Sequence, residues 1–286
     1  MLLVCCPWFQ CCTFDWTMHI GTTLIAELSM TEDDALKDVE TLMGKYGVAV
    51  ERIPSTSTKK QPDFKFEWGA ESYVVEMKQR DAKWQFTPEE KAAFADGEVV
   101  SRQEGLGYFG SFAKQMKKAG EQLDAYTPGP EDFRLIWYWT EGQFAELAAT
   151  RIITTLLGDV WVLELDSGRQ WRAHFFDENL ITKFGDMVDG AVVGEITDEG
   201  AVMHLVLNPF SSRYEQLRIS NLAEAFKDGV RDSFAMEKAG TVLIVDEAAD
   251  KTSERATLNY LGDKYSINVP QILRMGHMAA VARGEP

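Results

Sequence analysis

Alternation of apolar and polar side chains identifies two neighbouring strands in the first half of the chain. Phe64 to Trp68 alternates apolar and charged residues, and Tyr73 to Lys78 is short and rich in β-formers. Because side chains along a strand point to opposite faces in turn, Glu76 and Lys78 are predicted to share one face. The four residues Gly69 to Ser72 are predicted to form the hairpin loop that joins the strands.

Helical periodicity and capping residues predict the elements on either side of this hairpin. Thr31 to Lys45 is a predicted helix, with Thr31 as its N-cap and a stripe of apolar residues. A first strand is predicted over 48–53, a second helix within 106–126 and a strong fourth strand over 133–139. The predicted order of this half is therefore helix, three-strand meander, helix, strand, in an α/β fold.

The second half alternates predicted helices and strands without an internal repeat. Its pattern predicts a C-terminal α/β region, either as additions to the first sheet or as a second domain. The predicted elements are a helix over 141–157 that ends at Gly158, a hairpin over 160–176, a strand over 201–207, a helix over 212–227 and a buried strand over 241–246. Thr87 and Pro88 predict that another helix begins earlier in the chain, between the third predicted strand and the second predicted helix.

The hairpin also carries the chain's candidate chemistry. Asp63 follows Pro62 at the entrance of the first hairpin strand, so the hairpin brings it towards Glu76 and Lys78 at the end of the second strand. Carboxylates bind Mg²⁺ through hard oxygen atoms, and an ammonium group offsets negative charge that grows on a phosphate. These three residues therefore form a set suited to phosphodiester hydrolysis.

The segment Q-P-D-F-K-F-E-W-G-A-E-S-Y-V-V-E-M-K resembles the active-site hairpin of the PD-(D/E)XK nuclease superfamily, whose fold is restriction-endonuclease-like. The resemblance covers about residues 31–140. It implies that Asp63 and Glu76 ligate one or two Mg²⁺ ions, for which Mn²⁺ can substitute, together with the backbone carbonyl of Met77. It also implies that Lys78 orients or activates the attacking water or stabilises the phosphorane, and that Glu40 of the first helix is a third carboxylate at the metal.

Residues of the second helix are candidates for substrate binding. Gln122 and Tyr126 have the Q-x-x-x-Y spacing of the branch that resembles the RecB nuclease domain, and four-residue spacing puts them on one helical face. Three lysines at helical spacing offer phosphate contacts: Lys114, Lys117 and Lys118. The alternative interpretations are structural, with Tyr126 as a core aromatic residue, and with the lysines and Glu40 on solvated helix faces.

Composition limits the kind of nucleic-acid binding. The 286-residue chain has a formal net charge of −16, which argues against a broad basic surface but leaves room for a local basic patch. We expect a Mg²⁺-dependent nuclease that acts on DNA in restriction, phage defence or repair, with a ribonuclease of the same fold as a lesser option. A homodimer suits an enzyme that cuts two strands. The alternative is a catalytically inactive module of the same fold that binds nucleic acid or a protein partner.

Residues 1–29 differ from the rest of the chain. They are apolar and almost uncharged, and they contain all four cysteines, at positions 5, 6, 11 and 12. The segment lacks the basic start of a signal peptide and the length of apolar sequence that spans a membrane. We expect either a translated upstream extension, with Met18 or Met30 as the natural start, or a small element that packs on the core.

The sequence predicts three parts of the chain. Residues 1–29 are the N-terminal extension, residues 30–140 form the nuclease-like core, and residues 141–286 serve substrate selection or dimerisation. The lack of cysteines elsewhere favours the cytoplasm.

Overall fold

The computed structural model shows a mixed α/β protein with one sheet of seven strands and one of four. It describes residues 32–54, 61–81, 87–105, 107–126, 129, 132–142, 144–197, 200–268, 270–273 and 276–281. The cysteine-containing segment and the predicted N-cap Thr31 lie outside these residues. Each helix in the described part of the chain is too short or too polar to span a bilayer.

The helices and strands are numbered in chain order. Those up to residue 157 are α1 (Glu32–Gly44), β1 (Val50–Arg52), β2 (Phe64–Trp68), β3 (Glu71–Asp81), α2 (Pro88–Ala95), β4 (Val100–Gly105), α3 (Gly110–Ala125), β5 (Asp132–Glu141) and α4 (Ala145–Leu157). Those after it are β6 (Val160–Glu164), β7 (Gln170–His174), α5 (Ile181–Phe184), β8 (Gly190–Thr197), β9 (Gly200–Leu207), α6 (Tyr214–Leu217), α7 (Asn221–Ala225), β10 (Val230–Arg231), α8 (Ser233–Lys238), β11 (Val242–Ile244), α9 (Glu254–Tyr265), β12 (Pro270–Leu273) and β13 (Gly276–Val281).

The seven-stranded sheet has the order β1-β2-β3-β5-β8-β9-β10. Strands β1 to β3 form an antiparallel meander, and β3, β5 and β8 run parallel to one another. Strands β8, β9 and β10 belong to the second half of the chain, so strands on both sides of residue 140 form one sheet. The predicted elements of the first half are present in the predicted order.

Helices cover both faces of this sheet. On one face, Val39 and Met43 of α1 belong to the same buried cluster as Val75, Met77 and Trp137. The opposite face is covered by α3 and α4, whose apolar residues cluster with Val74 and Ile136. The predicted alternation along β3 is confirmed. Consequently Glu76 and Lys78, which share the face of Val74, point towards the side covered by α3.

Two local predictions were wrong. The hairpin loop has two residues rather than four, because Trp68 already pairs with Glu71, and Gly69 adopts a φ of 67° that glycine tolerates without a steric penalty. The helix predicted over 212–227 is divided into α6 and α7. The division occurs at Ser220, whose hydroxyl accepts a hydrogen bond from the Ala223 N–H at 3.2 Å and so starts a new helix.

The four-stranded sheet has the order β11-β7-β6-β12 and encloses its own apolar cluster with α9. Its β6–β7 hairpin and β11 agree with the sequence prediction. Helix α4 ends at Gly158, which is left-handed with a φ of 58°, as predicted from the glycine. Both large sheets belong to one compact unit, residues 30–84 and 105–276.

The second compact unit includes α2 and the two-stranded sheet of β4 and β13. Helix α2 begins as predicted, with Pro88 in its first turn and Thr87 as N-cap. The Thr87 N–H donates to the Glu90 side chain at 2.8 Å, and the Thr87 hydroxyl accepts from the Glu90 N–H at 3.2 Å. This reciprocal capping box explains why a helix without buried residues forms here.

Candidate active site

The β2–β3 hairpin places Asp63 directly beside Glu76. The Asp63 N–H donates to the Val75 carbonyl at 3.0 Å, which continues the antiparallel ladder one residue beyond β2. The Asp63 carboxylate in turn accepts a hydrogen bond from the Met77 N–H, at 2.6 Å from Oδ2. The backbone of the strand that carries Glu76 therefore also holds Asp63.

Glu76 is a buried carboxyl group, with 1 % of its surface exposed. Its Oε1 accepts a hydrogen bond from Lys78, whereas its Oε2 is buried without a hydrogen-bond partner. Burial, with a smaller contribution from the negative charge of Asp63, raises the pKa of Glu76 to about 7 against the opposing charge of Lys78. An unpaired buried oxygen on such a group is costly unless a proton or a cation approaches it.

Lys78 connects the two oxygen atoms that lie closest to it. Its ammonium group donates to Glu76 Oε1 and, at 3.0 Å, to the Met77 carbonyl. The side chain is 22 % exposed, so the ammonium group lies at the border between the buried carboxylate and solvent. Lys78 is therefore the positive charge that compensates Glu76 at neutral pH.

The oxygen atoms of this cluster fit a hard divalent cation in type. Asp63 and Glu76 supply carboxylates and Met77 a carbonyl, the ligands that Mg²⁺ prefers. The buried Glu76 Oε2, which lacks a partner, is the atom that such an ion would satisfy. Among the described residues, no group of three or more His, Cys, Asp and Glu side chains could hold a metal ion. The protein thus offers two carboxylates and a carbonyl, and water or substrate would complete the shell.

Glu40 does not join this cluster. It lies on α1, whose apolar residues pack against the face of the sheet opposite to Glu76. Its carboxylate accepts a hydrogen bond from Arg52 of β1 at 3.4 Å, and Arg52 also contacts Asp33 at 2.7 Å. The structure therefore brings Glu40 together with an exposed arginine and not with Asp63 and Glu76.

The candidate residues of α3 differ in their exposure to solvent. Gln122 is half-buried, and its side chain has no hydrogen-bond partner in the described part of the chain. Tyr126 packs against the core and lies close enough to Lys65 to contribute to the raised pKa of that lysine, for which the Glu51 carboxylate is the main cause. Lys65 shares its face with Asp63 by strand alternation. The three lysines Lys114, Lys117 and Lys118 are exposed to solvent.

Two residues near the cluster escaped the sequence prediction. Tyr138 of β5 pairs in register with Lys78, and its hydroxyl donates a hydrogen bond to Gln115 of α3. Gln115 lies seven residues before Gln122, which places both glutamines on one side of the helix. Strand alternation could have assigned Tyr138 to the face of Ile136, but its pairing with β3 depends on a parallel register that local sequence does not encode.

Comparison with protein-family models, curated proteins and solved structures found no match to this chain.

Proposed function

We propose that this protein is a Mg²⁺-dependent nuclease that hydrolyses phosphodiester bonds, most readily in DNA, and that residues 31–140 form a PD-(D/E)XK core. The observation that carries the proposal is the cluster of Asp63, Glu76 and Lys78 on one hairpin. Its two carboxylates are adjacent, one of them is almost fully buried, and a lysine two residues further on contacts it.

The topology around the cluster supports the restriction-endonuclease-like core. An antiparallel meander leads into β3, and α3 then crosses to the parallel neighbour β5. The candidate residues lie on the sheet face that α3 covers. This is the arrangement that the PD-(D/E)XK resemblance implies, with helix, meander, helix and strand in that order.

The chain's own residues would divide the work of hydrolysis. Asp63, oriented by the Met77 N–H, and Glu76 would hold the ion, and a bound Mg²⁺ would polarise the phosphate and lower the pKa of a ligated water. Lys78 would offset the negative charge that develops on the phosphate.

Substrate contacts would come from basic residues close to the cluster. Lys65 lies on the same hairpin face, and the exposed lysines of α3 could contact phosphates, against a formal net charge of −16 for the whole chain. We assign the C-terminal half to substrate selection or to a homodimer that presents two sites to two strands. The absence of cysteines after residue 12 favours a cytoplasmic protein.

The alternative is a catalytically inactive module that binds nucleic acid or a protein. One observation favours it: the Lys78 ammonium group already contacts both Glu76 Oε1 and the Met77 carbonyl, so a cation is present at the two oxygens proposed for the metal. In this interpretation Lys78 replaces the metal ion and the cluster only stabilises the hairpin.

Cleavage of linear, circular and single-stranded DNA with Mg²⁺ or Mn²⁺ tests the proposal. Glu76→Gln and Asp63→Asn should abolish cleavage and weaken Mn²⁺ binding measured by calorimetry. Glu67→Gln removes the same charge from an exposed position of the same hairpin and should leave both unchanged. A wild-type protein that binds no Mn²⁺ and cleaves no DNA would favour the inactive module.

A further inference from the structure

The Lys78 ammonium group contacts two oxygen atoms that a metal ion would need. It donates to Glu76 Oε1 and, at 3.0 Å, to the Met77 carbonyl. The same carboxylate and the same carbonyl are the groups proposed to ligate Mg²⁺. Mg²⁺ binds oxygen at about 2.0–2.1 Å, so an ion and an ammonium group on shared oxygens would lie only about 4 Å apart. Two positive charges at that separation repel each other strongly.

The Glu76 carboxylate keeps its second oxygen available while Lys78 holds the first. Glu76 Oε2 is buried and accepts no hydrogen bond in the described part of the chain. Next to it, the Asp63 carboxylate is fixed by the Met77 N–H, at 2.6 Å from Oδ2. An incoming cation can therefore contact Glu76 before the ammonium group leaves, and the buried carboxylate is compensated throughout the exchange.

The Lys78 side chain has a route to solvent that Glu76 lacks. The side chain of Lys78 is 22 % exposed, whereas that of Glu76 is 1 % exposed. A lysine carries a strongly hydrated charge on a flexible stem of four carbons. The ammonium group can therefore leave the two oxygens by rotation of its own stem, while the carboxylate remains fixed in the core.

The charges of the cluster favour one cation at a time until a phosphate is present. The ammonium group compensates one of the two ionised carboxylates, and one Mg²⁺ compensates both. An ion and an ammonium group together leave a surplus positive charge. A phosphodiester carries a single negative charge, which would balance that surplus and give the ammonium group a new acceptor.

We propose that Lys78 is an exchangeable cation, which a divalent metal ion displaces from Glu76 and Met77 and which then contacts an oxygen of the substrate phosphodiester. This inference rests on the proposed nuclease function and adds an order of events to it. Without metal, Lys78 neutralises the buried carboxylate and lowers the affinity of the site for cations. Once metal is bound, the same ammonium group is available to the phosphate, so metal binding prepares the site for substrate.

Calorimetric titration of the whole chain with Mn²⁺ tests the competition. Lys78→Met should bind Mn²⁺ roughly tenfold more tightly than the wild type does, because a charge-assisted hydrogen bond no longer competes with the ion. Lys65→Met is the matched control. It removes the same charge from the same face of the hairpin, where Lys65 contacts Glu51 at 3.1 Å, and it should change the affinity far less.

The outcomes separate this inference from the function on which it rests. Equal or weaker Mn²⁺ binding by Lys78→Met would overturn the exchange and leave the metal site in place. An equal gain in Lys65→Met would assign the effect to general charge repulsion and would also overturn it. If neither the wild type nor Lys78→Met binds Mn²⁺, the proposed function and the exchange both fail.

Acetylation of lysine amines in the wild-type protein, followed by mass spectrometry, tests the release of Lys78 without any variant. At a Mg²⁺ concentration that saturates the site, labelling of Lys78 should rise severalfold, because its ammonium group loses two acceptors and becomes accessible. Lys45, at an exposed position of the chain, should be labelled equally with and without Mg²⁺. Unchanged labelling of Lys78 would show that its ammonium group stays on Glu76 and Met77, and would overturn the proposal.

Discussion

The Met77 N–H donates a hydrogen bond to Asp63 Oδ2 at 2.6 Å. Asp63 directly precedes β2 and Met77 lies within β3, next to Glu76, so this main-chain donor holds the Asp63 carboxylate beside the residue that follows Glu76. A carboxylate that accepts from a backbone N–H is held more firmly than one exposed to water. A change at Asp63 should therefore alter the pKa of Glu76.

Asp63→Asn should lower the pKa of Glu76. The substitution keeps an oxygen that can accept from Met77, but it removes the negative charge that helps to raise that pKa. Carboxyl-carbon NMR titration of Glu76 measures the change. Asp63→Ala is the comparison that also leaves the Met77 N–H unpaired, which should reduce the free energy of unfolding by about 1–3 kcal/mol. An unchanged Glu76 pKa in Asp63→Asn would contradict the proximity of the two groups.

The contribution of Glu76 to the free energy of unfolding should fall as pH rises from about 5 to 8. The pKa of Glu76 is about 7 in the folded state against an ordinary value of 4.5. Between these values the folded protein holds a proton that the unfolded chain has released, so the free energy of unfolding decreases with pH. Urea denaturation should therefore show that wild type loses roughly 1–3 kcal/mol more over this range than Glu76→Gln does.

The pH dependence of unfolding needs a control variant for Glu195. Burial, with a smaller effect from the charge of Glu146, raises the pKa of Glu195 to about 7, so this group also destabilises the protein as pH rises. Glu195→Gln should remove its own share of the pH dependence and leave that of Glu76. If Glu76→Gln retains the full wild-type pH dependence, the buried Glu76 carboxyl is not the origin of the effect.

Lys78→Met should destabilise the protein at pH 8 and leave it nearly unchanged at pH 5. The ammonium group is the cation that contacts Glu76, and its removal matters only when Glu76 is ionised. Denaturation at the two pH values measures this difference, and DNA cleavage should fall by a factor on the order of 10²–10³. Lys45→Met, at an exposed position, should change neither. Equal losses at both pH values would indicate a packing role for the Lys78 stem.

Much of the first half could be predicted because local signals agree there with the final fold. Alternation along β2 and β3 assigned Glu76 and Lys78 to one face, and the burial of Tyr73 and Val75 opposite to them follows from the same period. The cap of α2 and the glycine end of α4 are likewise local features. Such elements need no knowledge of distant contacts.

Several features that the sequence did not predict depend on contacts between residues far apart in the chain. Strand β8 was not predicted, and its place beside β5 comes from pairing with residues more than fifty positions away. Glu40 was predicted to be a metal ligand from its position on a helix. Helix α1 packs on the other face of the sheet, where Glu40 accepts a hydrogen bond from Arg52. The Tyr138–Gln115 contact joins a strand to a helix that precedes it by 23 residues. Periodicity alone contains none of these relationships.

Gly158→Ala should destabilise the protein more than Gly168→Ala. Both glycines have positive φ, 58° and 69°, so both alanines meet a backbone penalty of about 1–2 kcal/mol. A Cβ at Gly158 would lie 2.5 Å from the Asp177 carbonyl, whereas a Cβ at Gly168 meets nothing within 4 Å. The clash should add roughly 1–3 kcal/mol, measured as the difference between the two variants in urea denaturation. Equal losses would show that the turn after α4 can open.

Tyr138→Phe and Gln115→Ala should be energetically coupled. The Tyr138 side chain is fully buried, and its hydroxyl donates to Gln115 in the described structure. Removing the hydroxyl leaves the Gln115 oxygen without this donor, so each single variant loses stability and the double variant loses less than their sum. We expect a coupling of about 0.5–1.5 kcal/mol from denaturation of the four proteins in a double-mutant cycle.

A second cycle gives this experiment its control. Tyr214→Phe removes another buried hydroxyl, which donates to Asp232 at 2.6 Å and belongs to the core cluster on the opposite face of the sheet from Tyr138. Combined with Gln115→Ala, it should show additive losses within about 0.5 kcal/mol. If both cycles are additive, Gln115 does not hold Tyr138. If only the Tyr138 cycle is coupled, α3 is joined to β5 by a polar contact beside Lys78, and that contact fixes the helix over the carboxylate cluster.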